Sequence, residues 1–137
     1  MDYSEIVYDH ALTPRNVGFI EEHDGLGSCG DPNCGDFAVM TIRVCDSRLA
    51  DVCFLVQGCG AAIATCSIAT ELVKGKTLEE ADQLTDEDVV QALGGLPEFK
   101  LHCSTLAATA LHQAIEDYYQ RRQMDPHDWR ALYHRRR

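Results

Sequence analysis

Two neighbouring segments constrain this fold more than any other part of the chain. Over residues 37–44, Ala38, Met40, Ile42 and Val44 alternate with Phe37, Val39, Thr41 and Arg43. That period of two marks a strand with one buried face. Over residues 49–57, Val52, Phe54 and Val56 share a face in the same way. The turn Asp46-Ser47-Arg48 between them is far too short for a crossover. The two strands must therefore pair antiparallel as a hairpin. Immediately after it, Gly58-Cys59-Gly60 breaks the alternation and a different periodicity begins.

The flanking elements read as helices. Residues 2–11 carry Tyr3, Ile6, Val7 and Ala11 on one face, with Asp2 and Glu5 spaced as a capping box and Pro14 closing the helix. Residues 16–32 are loop-rich, with room for a first strand near 25–28. A helix is expected over 61–74, stopped by Gly75. Thr77 with Glu80, and Thr85 with Asp88, announce two short helices, and Gly94-Gly95 ends the second. Pro97 and the glycines make 96–100 a loop. A long helix over 104–122 carries the stripe Ala107, Ala110, Leu111, Ala114, Ile115 and Tyr118. The order helix, strands, helices predicts an α+β domain built on a small antiparallel sheet.

A chain of 137 residues with 45% hydrophobic and 25% charged side chains fits one globular domain. Its seven cysteines are an odd number, and the polar start Met1-Asp2-Tyr3-Ser4-Glu5 is no secretion signal. No stretch reaches transmembrane length. Free thiols in a reducing cytoplasm are therefore expected. From Arg121 onward six Arg face two Asp, a +4 segment, so the rest carries −14 of the net −10. An acidic body opposes non-specific binding of nucleic acid. The expected division is a domain over 1–122 and a basic tail over 123–137, read as a solvated end.

Three cysteines stand in contexts suited to a soft metal: Cys34 in Cys34-Gly35-Asp36, Cys59 in Gly58-Cys59-Gly60, and Cys103 in His102-Cys103-Ser104. Cys59 and Cys103 both stand at expected helix starts, where free N–H groups and the helix dipole favour a thiolate. Cys-x-x-Cys pairs are absent, so ribbon and ferredoxin motifs are excluded. Three thiols plus Asp36 or His102 would leave one weak, exchangeable bond. This chemistry fits both iron–sulfur assembly and tetrahedral zinc.

Four ordered motifs carry a family resemblance. Pro14-Arg15-Asn16-Val17-Gly18, Cys34-Gly35-Asp36, Gly58-Cys59-Gly60-Ala61-Ala62-Ile63-Ala64 and Lys100-Leu101-His102-Cys103-Ser104 resemble the IscU/NifU-type iron–sulfur cluster assembly scaffolds, with Gly94-Gly95-Leu96-Pro97 ahead of the last. The resemblance implies the SufE/NifU-like fold, a three-stranded antiparallel sheet covered on one side by helices. It implies a scaffold rather than an enzyme, with no catalytic residue. Such a scaffold takes sulfur from a cysteine desulfurase and iron from a donor, builds a [2Fe–2S] cluster and passes it to apo-proteins. Cys34, Cys59 and Cys103 would be ligands and persulfide acceptors, with Asp36 and His102 as competing fourth ligands. Zinc at the same residues and self-association are both compatible with it.

The 44-residue step from Cys59 to Cys103, and His102 itself, favour the IscU/NifU branch over the SufU branch, which carries an insertion there and lacks the His. The resemblance also implies the stand-alone form rather than a longer NifU. One departure is Leu96-Pro97-Glu98-Phe99-Lys100, where the family reads Leu-Pro-Pro-Val-Lys. Losing the second Pro frees φ, and Phe is larger than Val, which weakens the implied contact with the family's chaperone pair. Cys66 reads as a helix-packing residue, Cys45 and Cys53 as strand residues, and Cys29 as a residue of a flexible loop. His10, His23, His112, His127 and His134 lack paired context. A zinc-dependent sulfur acceptor is the alternative function. A Cys–His hydrolase ranks far below, because adjacent His102 and Cys103 should point apart.

Overall fold

The computed structural model describes residues 3–33 and 35–124. Asp2, Cys34, the tail from residue 125 onward and its His127 and His134 lie outside the described residues. The first helix, α1, spans Glu5–Leu12. It is capped by Ser4, whose Oγ accepts from the Val7 N–H at 3.1 Å and donates to the Leu93 carbonyl. The expected start at residue 2 is thus corrected: Ser4 does the capping, and its second bond ties α1 to a distant helix end.

Among the described residues, three strands form one sheet in the order β1-β2-β3, all antiparallel. β1 is Gly25–Gly30, β2 is Phe37–Cys45 and β3 is Arg48–Gln57. β1 is longer than 25–28 and takes in Cys29, which pairs with Ala38 and so sits in a ladder rather than a loop. The hairpin turn is tighter than expected. Asp46 and Ser47 both take positive φ, 54° and 62°, the left-handed pair that follows the strand twist. Met40, Ile42, Val52 and Phe54 are buried on the inner face, as the alternation predicts.

The helix α2, Gly60–Val73, follows β3 directly. Two short helices come next, α3 at Leu78–Ala81 and α4 at Asp86–Ala92. Both carry complete capping boxes, Thr77 with Glu80 and Thr85 with Asp88. Residues 96–100 are not a plain loop. Pro97 opens a 3₁₀ turn over Glu98–Lys100, closed by Lys100 N–H to the Pro97 carbonyl at 2.8 Å.

The last helix, α5, runs over His102–Met124, two residues earlier than expected. It lies across β1 with almost no gap. A Cβ built on Gly27 would stand 2.1 Å from the Ala110 carbonyl oxygen, and one on Gly25 would stand 2.2 Å from that of Ala114. Glycine on the strand and alanine on the helix allow this backbone-to-backbone approach.

His10 is buried where α1 meets α2. Its Nδ1 lies 2.7 Å from Ser67 Oγ, which also accepts from the Arg15 N–H at 2.9 Å. Burial, and then the Arg15 charge, hold the imidazole below its ordinary value of 6.5, while Glu71 and Asp9 pull weakly the other way. The folded state therefore keeps His10 neutral where the unfolded chain begins to bind a proton. Stability is fully present above the unfolded value and falls as pH drops toward the folded one. Thermal melts across pH 7 to about pH 5 should show this loss, and His10→Gln should flatten it.

Candidate metal centre

The edge where the hairpin ladder ends is the place where chemistry-bearing side chains meet. Phe37 and Gln57 form the last pair of the β2–β3 ladder, so Asp36 and Gly58 are the next residues on adjacent strands. Cys59 then serves as the N-cap of α2. The first turn of α5 brings His102 and Cys103 to the same edge. Thr65 Oγ1, in α2, lies 3.1 Å from the Cys103 carbonyl and holds that turn against α2.

Asp36, Cys59 and Cys103 place one ligand atom each within 4.8 Å of one another. The sulfurs of Cys59 and Cys103 are 4.0 Å apart, and Cys103 Sγ lies 3.8 Å from Asp36 Oδ2. His102 Nε2 is 3.3 Å from Asp36 Oδ2 and 3.7 Å from Cys103 Sγ. A tetrahedral ion with bonds of about 2.3 Å to sulfur and about 2.0 Å to N or O needs ligand separations of about 3.3–3.8 Å. The four separations given lie within a few tenths of an ångström of that shape, while His102 stands outside the group that Asp36, Cys59 and Cys103 form within 4.8 Å. Asp36, Cys59 and Cys103 therefore offer a soft or borderline cation three donors, with His102 close to two of them.

Burial grades the four groups, with Cys59 half-buried. Cys103 is fully buried, Asp36 keeps 23% of its side chain exposed, and His102 keeps 60%. Gly58 makes room for Asp36: a Cβ there would stand 2.6 Å from Asp36 Oδ1. Next to this edge, Gln57 Nε2 donates to the Pro32 carbonyl at 3.1 Å and reaches toward that of Gly35 at 3.5 Å. The two described flanks of Cys34 are thus tied to β3 two residues before Cys59.

The two described site thiols, Cys59 and Cys103, differ in a way that sequence reasoning did not foresee. Burial alone would raise Cys59, but the Ala62 N–H, the Lys100 ammonium and the Ala61 N–H outweigh it and hold the thiol below its ordinary range. Lys100 Nζ lies 3.4 Å from Cys59 Sγ. Cys103 goes the other way. Burial first, then the neighbouring Cys59 and Asp36, push it up to about 12. The expectation that both helix starts favour a thiolate therefore holds for Cys59 and fails for Cys103. Cys103 sits inside the first turn of α5 rather than at its cap, and burial beside a like charge dominates.

Adjacent His102 and Cys103 converge instead of pointing apart: although a residue of helix turns them about 100° from each other, both reach Asp36 Oδ2 and lie 3.7 Å apart. This corrects the geometric ground for setting a hydrolase aside. Chemistry supplies another, because a thiol raised to about 12 is the reverse of an activated nucleophile. Lys100 was overlooked as a site residue. Its signal was its place in Lys100-Leu101-His102-Cys103, with the 3₁₀ turn folding it back over Cys59.

The remaining described cysteines stay outside the cluster of donors. Cys66 is fully buried in α2, with its thiol pushed up to about 12 chiefly by burial. Cys45 is exposed at the end of β2, and Cys29 and Cys53 are half-buried in strands. All six described cysteines are free thiols.

Comparison with known proteins places this geometry in context. Residues 2–125 match the family described as the NifU-like N-terminal domain. The iron–sulfur cluster assembly scaffold protein IscU 1 of Archaeoglobus fulgidus is 55% identical over 119 residues, covering 87% of this chain and 78% of that protein. The corresponding IscU of Escherichia coli K12 is 45% identical over 127 residues, covering 90% of this chain and 98% of that one. Among solved structures, FiSufU of Fervidobacterium islandicum AW-1, assigned to cluster assembly in the SUF system, superposes with a TM-score of 0.67 at 23% identity, covering 82% of this chain and 96% of its own. A NifU-like N-terminal protein from Brucella abortus gives 0.63 at 19% identity, over 85% and 94%. These two likenesses establish the three-stranded antiparallel fold.

Proposed function

The chain belongs to the family of NifU-like N-terminal domains, and from that membership we infer that it is a scaffold for iron–sulfur cluster assembly. The observation that carries the finer reading is the meeting of Asp36, Cys59, His102 and Cys103 at one sheet edge. Cys34 completes the proposed ligand set. The cluster, a [2Fe–2S] unit, is cargo: it is built on these residues and passed on.

Each residue has a distinct task in this reading. Cys59, half-exposed and held toward the thiolate by Lys100, accepts sulfur. Its thiolate attacks the terminal sulfur of a cysteine persulfide on a desulfurase. A new S–S bond forms on Cys59, the old one breaks, and the desulfurase cysteine leaves as a thiolate. Turning that sulfur into sulfide takes two electrons from an external reductant. Cys103, kept protonated by burial, becomes a ligand only when a cation repays the cost of its charge, so metal uptake releases a proton. Asp36 and His102 share the fourth position through their 3.3 Å contact. A carboxylate or imidazole binds iron more weakly than a thiolate, which favours release to an apo-protein. The chain acts as a carrier in the reducing cytoplasm, where its free thiols persist.

Anaerobic incubation with ferrous iron, cysteine, a desulfurase and a reductant tests this. A visible-absorbing cluster that moves to an apo-ferredoxin is expected. A protein that never forms one, or never releases it, ends the reading. The close spacing of Asp36, Cys59 and Cys103, with His102 beside two of them, supports a second reading, a zinc-holding sulfur acceptor that stimulates the desulfurase. Zinc that persists through the same incubation, with faster desulfurase turnover, would select it. Contact with a chaperone pair through the 96–100 segment rests on Phe99, which stands 66% exposed on the 3₁₀ turn where the family pattern has Val.

A further inference from the structure

Three buried hydroxyl residues sit on α2, and they serve two different neighbours. Ser67 Oγ meets His10 Nδ1 at 2.7 Å and accepts from the Arg15 N–H at 2.9 Å, and Thr70 Oγ1 accepts from Asn16 Nδ2 at 3.0 Å. These two hold α1 and the segment after it. Thr65 serves the other side. It is fully buried, and its Oγ1 lies 2.9 Å from the Ala62 carbonyl of its own helix and 3.1 Å from the Cys103 carbonyl of α5. A hydroxyl has one proton to give, and here two carbonyls share it.

The bond to Ala62 is the local one that threonine makes within a helix. The bond to Cys103 spans 38 residues of sequence and lands on the residue whose sulfur stands 4.0 Å from Cys59 Sγ. Cys59 is itself the N-cap of the helix that carries Thr65. One rigid element therefore holds one site thiol through its own backbone and the other through a hydroxyl. Ser104 also steadies the start of α5, with its Oγ donating to the Leu101 carbonyl at 2.7 Å. That bond stays within the turn and gives no tie to α2. Buried alanines on both helices, Ala62 and Ala64 on α2 and Ala107 and Ala110 on α5, suit an approach close enough for so short a side chain to reach the facing backbone.

We propose that Thr65 is a positioning residue for the donor cluster: its hydroxyl clamps the first turn of α5 onto α2, which keeps Cys103 sealed in the core and its sulfur beside those of Cys59 and the carboxylate of Asp36. The proposal rests on reading this sheet edge as a metal centre. Thr65 acts through the Cys103 backbone and sets where that thiol stands before any ion arrives.

Thr65→Val removes the hydroxyl, keeps the branched shape and leaves both carbonyls their helical N–H partners, so no buried donor is orphaned. In the metal-free protein, alkylation of Cys103 by N-ethylmaleimide should rise several-fold in this variant. Cys66, fully buried beside Thr65 in α2, should remain the last of the three thiols to react. Thr65→Ser keeps the hydroxyl and should label like the parent. Cobalt(II) alone, followed by its thiolate-to-metal absorption, should bind Thr65→Val about tenfold more weakly, the low end for a group that supports a ligand without touching the metal. Three results would overturn the clamp: Cys103 labelling unchanged in Thr65→Val, a joint rise of Cys103 and Cys66 that marks general loosening, or cobalt binding equal to the parent's. A parent protein with no thiolate-to-cobalt absorption, alongside the expected labelling, would instead remove the metal centre and leave the clamp standing.

Discussion

Replacing Cys59 by Ala should reduce sulfur uptake from a desulfurase to a small fraction of the parent protein's. The reason is the division of labour between the two described site thiols. Cys59 is accessible and held below its ordinary range, whereas Cys103 is fully buried and pushed up to about 12. Only one of them is a ready nucleophile before metal arrives. Brief alkylation followed by mass mapping should label Cys59 before Cys103, and Cys66 last of the three. Lys100→Met removes the ammonium 3.4 Å from Cys59 Sγ. The alkylation of Cys59 should then slow several-fold near neutral pH, and its pH profile should move to higher pH. Equal labelling of Cys59 and Cys103, or a Lys100→Met profile that does not move, would remove the basis for this assignment.

Gly27→Ala should destabilise the fold by about 3 kcal/mol or more, at the upper end of what overpacking costs. The added methyl would need the space of the Ala110 carbonyl oxygen, 2.1 Å away, and of the Ala114 nitrogen, 2.4 Å away. Both atoms are backbone, so no rotamer change relieves the clash and α5 must leave the sheet. Because α5 carries His102 and Cys103, metal retention should fall together with the denaturation midpoint. Gly60→Ala is the matched control. Its methyl would meet Ala11 Cβ at 3.6 Å, an ordinary contact, so that variant should melt close to the parent. Equal behaviour of the two variants would show that α5 is not held as described.

The parts of this fold that depend on local chemistry were legible in the chain. The alternation in β2 and β3 and the paired signals of Thr77 with Glu80 and Thr85 with Asp88 act within a few residues of themselves. The stripe on α5 was legible because a single period describes it. What escaped was set by contacts across long separations. The capping-box pattern stood at Asp2 and Glu5, whereas Ser4 caps α1 and also finds the Leu93 carbonyl, 89 residues away. Nothing near Gly25 or Gly27 says that a helix backbone will lie on them. The cysteine contexts named Cys59 and Cys103 alike, and only the packing of α5 against α2 makes one thiol available and the other buried. Lys100 became a site residue because a 3₁₀ turn folds it over Cys59, and the turn was read as a plain loop.

The ligand assignment at the centre is tested most directly by the Mössbauer spectrum of a cluster assembled on the protein from Mössbauer-active iron. A [2Fe–2S] unit held by thiolates plus Asp36 or His102 should give two unequal ferric sites, one with sulfur ligands alone and one with an oxygen or nitrogen donor. Joint replacement Asp36→Ala, His102→Ala should change the second site and leave the first. Two equivalent all-sulfur sites, unaffected by that replacement, would mean that the cluster is held elsewhere or by thiolates alone, and would contradict the arrangement at this sheet edge.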